Sequence, residues 1–145
     1  MTRRMPAGAI VLTALILGAC GLAPSRQLDL LIPVSGSVPQ LPITIVDPGA
    51  LVRAAAVGGP DAGNQLDGGV TRVPGSSTAA VVWWLGGACD TRTVVSLGHR
   101  GSTVLVALTT ETSSGACILV GLTRRITLDF VDPVESRTFE FSSSG

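Results

Sequence analysis

The run Ala79-Ala80-Val81-Val82-Trp83-Trp84-Leu85 is continuously apolar and closes on Gly86-Gly87. A run of this length without alternation reads as a strand in the middle of a sheet, covered on both faces. Successive side chains of a strand leave on opposite faces. Trp83 and Trp84 therefore diverge, one into the core and the other beneath a covering loop or into solvent.

The neighbouring sequence repeats the same grammar of short β-type runs cut by turn residues, as in a sandwich or barrel. Pro42-Ile43-Thr44-Ile45-Val46 alternates and stops at Asp47-Pro48-Gly49, a turn signal. Leu51 to Val57 follows, with Ala54-Ala55-Ala56 compatible with a strand or a helical turn. Gly58 to Ser77 is rich in Gly, Asp, Asn, Pro and Ser and reads as a long surface loop or a pair of short hairpins. Thr91 to Leu97 and Thr103 to Thr110 are β-branched runs joined by Gly98-His99-Arg100-Gly101, whose glycines suit a hairpin loop. Ala116 to Val120 and Arg125 to Phe130 make another pair around Gly121, and Ile126, Leu128 and Phe130 share one face. Asp132-Pro133 ends that run, and Thr138 to Phe141 is a last strand with Phe139 and Phe141 inward. Leu28 to Val34 can lay an edge strand on the domain. The expectation is a mainly β fold of seven to nine strands, an antiparallel β-sandwich of immunoglobulin-like size.

The N-terminus carries a different kind of signal. Arg3 and Arg4 precede a run from Ala7 to Ala19 without an ionisable side chain. A basic n-region, a short apolar h-region and small residues at the cut define an export signal, and this run is short of the roughly 20 residues of a spanning helix. Leu17-Gly18-Ala19-Cys20 at its end resembles the lipobox of bacterial lipoproteins, with leucine and two small residues before a cysteine. The resemblance implies that residues 1–19 are a signal-peptide helix that is removed, and that the Cys20 thiol receives a diacylglyceryl group. Two acyl chains anchor a protein stably where one does so only marginally. The alternative is an ordinary secreted chain in which Cys20 is incidental, and Arg3-Arg4 leaves the export route open between the general and twin-arginine pathways. Residues 20–27 then form the lipidated cysteine and its tether, and residues 28–145 the sandwich.

Cysteine parity bears on the same question. The chain has three cysteines; with Cys20 acylated, Cys89 and Cys117 remain as a pair in a compartment where disulfides persist. Closing a loop of about 28 residues would stabilise the fold by roughly 3–4 kcal/mol on the chain-entropy estimate. Two buried free thiols are the alternative, and no second pair of soft ligands accompanies them for a metal.

Composition restricts function further. Ten basic residues, all arginine, balance ten acidic ones, so the chain lacks the electrostatic footprint of a nucleic-acid binder. Without lysine there is no Schiff-base chemistry. His99 is the single histidine; a hydrolytic set with Ser96 or Ser102 and Asp90 is conceivable, but a solvent-exposed loop histidine is the simpler reading. Asp61, Asn64 and Asp67 offer oxygen ligands at a spacing that matches no calcium loop; with Asp129, Asp132 and Glu135 they read as solvated turn residues. No metal and no cofactor are expected.

Gly86-Gly87-Ala88-Cys89-Asp90, Gly115-Ala116-Cys117 and the segment from Arg125 to Val134 resemble uncharacterised small lipoproteins of the bacterial cell envelope, a likeness that brings no chemistry with it. The expected function is that of a non-enzymatic, lipid-anchored envelope protein on the extracytoplasmic side of a bacterial membrane, binding a protein or carbohydrate partner or acting structurally. Trp83 or Trp84 would be the anchor of such a contact, unless both rings fill the core. A hydrolase, or a protease inhibitor presenting Ser113-Ser114-Gly115-Ala116 beside Cys117, is the rival class.

Overall fold

A computed structural model describes residues 25–32, 41–57, 68–115 and 121–145. Among these the chain forms nine strands and no helix: β1 (Arg26–Ile32), β2 (Leu41–Asp47), β3 (Leu51–Ala56), β4 (Gly69–Arg72), β5 (Ala79–Gly86), β6 (Asp90–Arg100), β7 (Thr103–Thr112), β8 (Leu122–Phe130) and β9 (Thr138–Ser144). They make a five-stranded sheet, β1-β2-β6-β7-β9, and a four-stranded sheet, β3-β8-β5-β4. The mainly β, two-sheet architecture is as the residues foretold. The expected signal-peptide segment and the run 116–120 lie outside the described residues.

Alternation builds the core. From the larger sheet, Ile43, Ile45, Val95, Leu97, Val104, Val106 and Leu108 are buried; from the smaller, Leu51, Val82, Trp84, Ile126, Leu128 and Phe130 meet them. Every second residue of β2, β5, β6, β7 and β8 supplies this interface, which is the period of a pleated strand. Phe139 and Phe141 pack against the same cluster from β9, where they are partly buried.

The pairing is not antiparallel throughout. β2 runs parallel to β6 and β7 parallel to β9, whereas the smaller sheet is wholly antiparallel. Both parallel pairs arise because the intervening strands, β3 to β5 in one case and β8 in the other, belong to the opposite sheet. A chain that leaves one sheet, pairs in the other and returns can re-enter in its original direction, so crossing between layers replaces the long crossover that parallel neighbours otherwise require.

Two local expectations shift and two open readings are narrowed. The hairpin between β6 and β7 turns on Gly101 and Ser102, with Arg100 paired to Thr103, so Gly98 and His99 are strand residues. Gly101 has φ +59°, the positive φ that tight hairpin turns need. β1 begins at Arg26, so Arg26 and Gln27 belong to the sheet edge and not to the tether. The polar stretch after Val57 contains β4 within its described part. The ambiguous Leu51–Ala56 is a strand.

The sandwich has two distinct ends. Arg26, Asp47, Arg100, Phe130 and Thr138 lie at one end, because β1 pairs Arg26 with Asp47 and β7 pairs Thr103 with Thr138. Gly86, Asp90, Thr112 and Ser144 lie at the other.

Candidate functional site

At the Arg26 end, Asp47 is a buried carboxylate that organises its surroundings. Its Oδ1 accepts from the N–H groups of Gly49 at 3.0 Å and Ala50 at 2.7 Å, and its Oδ2 from Leu51 N–H at 3.2 Å and Arg26 Nε at 2.9 Å. Gly49 takes φ +94° to close this turn, as the Asp-Pro-Gly signal implies. Beside it is a cleft of about 230 Å³ lined by Pro48, Ala50, His99, Asp132 and Arg137. Arg137 lies 3.5 Å from His99 Nδ1 and 3.4 Å from Asp132. Arg72 holds the far wall by donating to the carbonyls of Val134 and Arg137 and by resting over the Phe139 ring.

The opposite end is built differently. Here the inward stripes of β7 and β9 change from hydrocarbon to hydroxyl: Val104, Val106 and Leu108 are followed by Thr110 and Thr112, and Phe139 and Phe141 by Ser143. Trp84 is the last large apolar side chain of β5 and is 1 % exposed. Beyond it comes Gly86, whose missing side chain leaves room for Asp90 Oδ2 and Arg124 Nε to close on its backbone. A second cleft of about 230 Å³ opens here, lined by Trp84, Gly86, Asp90, Thr110, Thr112, Ser143 and Ser144 among others.

Asp90 on one wall is held from behind by a buried ion pair. Arg124 Nη2 lies 3.5 Å from Asp90 Oδ2 and donates to the Gly87 carbonyl at 2.8 Å, and Asp90 Oδ2 accepts from Gly87 N–H at 2.8 Å. Burial pulls the Arg124 guanidinium below its ordinary value, opposed by the charge of Asp90 and its hydrogen bond. Two N–H groups here, Trp84 Nε1 and Arg124 Nε, are buried without an acceptor among the described residues. Such groups are uncommon in folded proteins, because each forfeits its hydration without replacement.

The expected site residues are distributed as follows. Trp84 is in the core, and Trp83 is half-buried on the outer face, its ring lying across Gly69 of β4. Cys89 is in the turn between β5 and β6. Leu17, Gly18, Ala19, Cys20 and Cys117 lie outside the described residues, as do Asp61, Asn64 and Asp67. Asp129 pairs with Arg53 and Asp132 with Arg137. His99 and Asp90 stand at opposite ends of β6, about 30 Å apart at the rise of an extended strand, so they form no joint catalytic set.

Arg124 is the residue that sequence reasoning passed over. Its signal is positional: it shares strand parity with Ile126, Leu128 and Phe130, which places a guanidinium on the inward face. Thr110 and Ser143 carry the same signal on β7 and β9. A comparison of the chain with protein-family models, with curated proteins and with solved structures found no match.

Proposed function

We propose that this chain is a lipid-anchored, extracytoplasmic binding module of a bacterial cell envelope, held by acylated Cys20 and presenting its hydroxyl-lined cleft away from the lipid. The observation that carries this reading is the separation of the two ends. Arg26 starts β1 only six residues after Cys20, a span of at most about 20 Å even when fully extended. The sandwich end that begins the domain is thus kept near the membrane, while the Gly86–Asp90 end lies a strand length away. A small β domain with a cleft at its far end is suited to meet a carbohydrate or protein partner of the envelope.

A Cys89–Cys117 disulfide belongs to the same proposal. The carbonyl of Cys89 accepts from Ser113 N–H at 2.9 Å, which brings the chain four residues before Cys117 to the same turn. The bridge would brace the rim of the cleft. A hydrolase draws no support from the placement of His99, and the inhibitor reading rests only on the exposure of Ser113, Ser114 and Gly115.

Intact-mass measurement of material purified from membranes tests the proposal. The expected product starts at Cys20, carries acyl chains and is two hydrogens lighter than the dithiol form. A chain starting elsewhere, or one without acyl mass, would overturn the anchoring.

A further inference from the structure

We infer that the Trp84–Ser143 cleft is a binding site for a single neutral, polyhydroxylated unit, a sugar residue at the end of a glycan. This deepens the binding-module reading and rests on it. Three observations converge. The first is chemical: the mouth is lined by Thr110, Thr112, Ser143 and Ser144, whose hydroxyls are of a kind that both donates and accepts, with Thr110 already meeting Thr93, and Ser144 meeting Thr109 and the Leu108 carbonyl. Such a set matches a ligand whose own groups do the same, as sugar hydroxyls do, better than it matches a pure anion or cation.

The second is electrostatic. Arg124 and Asp90 are committed to one another and to Gly87, so the Asp90 carboxylate on the wall is compensated and the cleft favours a ligand without net charge. The third is the pair of buried donors. Trp84 lines the cleft, and its Nε1 has no acceptor among the described residues; Arg124 Nε, also without one there, lies directly under Gly86, which lines the same cleft. Both unmet needs are for acceptor oxygens, which a sugar ring supplies on every carbon. The volume of about 230 Å³ is below the roughly 300–1,000 Å³ of drug-sized pockets, which suits one ring and not an extended chain. Leu108 and Trp84 leave an apolar floor for the C–H face of that ring.

Saturation-transfer NMR on the full lipidated protein in detergent micelles, with D-glucose, N-acetyl-D-glucosamine and acetate as separate probes, tests the assignment. At least one of the two sugars is expected to receive saturation, and acetate is not. Thr110→Val with Ser143→Ala, which removes two hydroxyls with little change of shape, should weaken the sugar by roughly tenfold or more, the equivalent of one hydrogen bond. Trp84→Phe, which removes the N–H and keeps an aromatic ring, should weaken it as well; an unchanged melting curve would show that either effect is local. Saturation of neither sugar, wild-type binding by the Thr110→Val, Ser143→Ala variant, or competition of acetate for the site would each overturn the assignment. Failure of sugar binding in a chain whose acyl mass is intact would count against this site alone, whereas a missing acyl mass would count against the anchoring and leave the site standing.

Discussion

Arg124 and Asp90 form an ion pair inside the sandwich, Nη2 to Oδ2 at 3.5 Å, with both side chains only 4 % exposed. Neither charge has an alternative partner of opposite sign among the described residues, so each depends on the other. Asp90→Ala leaves a buried guanidinium uncompensated and is expected to cost about 3–5 kcal/mol. Adding Arg124→Leu to it should recover most of that loss, since a buried pair replaced by apolar groups is close to neutral. Urea midpoints of the two variants check this, and equal destabilisation in both would contradict the coupling.

Gly86 sits between those two charges. A methyl group there would stand well under 3.0 Å from both Asp90 Oδ2 and Arg124 Nε. Gly86→Ala is therefore expected to destabilise by about 1–3 kcal/mol, as overpacking does. Gly115→Ala, at a position with nothing within 4 Å, should be nearly neutral. Thermal unfolding of the pair decides between a packing role and a general intolerance of alanine.

Asp47 holds the first turn of the domain to its first strand through three backbone N–H groups and Arg26. Its removal in Asp47→Ala strands buried donors, each costing about 1–3 kcal/mol. The expected outcome is a loss of several kcal/mol, with faster amide exchange at Gly49, Ala50 and Leu51. Unaltered exchange at these amides would show that the turn stands without the carboxylate.

The adjacent tryptophans should separate optically. Trp84 is enclosed and Trp83 is half-buried on the outer face. Acrylamide should quench Trp83 well before Trp84, so Trp83→Phe is expected to remove the accessible fraction of the emission. Trp84→Ala should destabilise by about 3–5 kcal/mol, and Trp83→Ala by clearly less. Comparable quenching of the two single-tryptophan variants would refute the assignment of faces.

Much of this was legible in the chain. Alternation placed Ile126, Leu128 and Phe130 on one face, marked Leu28 onward as an edge strand and split Trp83 from Trp84. The same parity would have placed Arg124 inward, but a guanidinium in an apolar stripe is read as an interruption until its partner is known. Asp90, more than thirty residues earlier, could not be assigned to that role from spacing. His99, set between two glycines, read as loop and is strand because the β6–β7 pairing continues to Arg100 and Thr103.

By itself, then, the order of residues determined strand character, the faces, the turn at Asp47-Pro48-Gly49 and the lipobox-like pattern, all of which are local: a period of two or a few consecutive side chains contains them. Only the tertiary structure decided which sheet each strand joins, that β2 and β6 run parallel, that Asp90 compensates Arg124, and that Thr110 and Ser143 meet around one cleft. Those relations join positions far apart in the chain, and they arise from packing two layers together, which no short stretch of residues encodes.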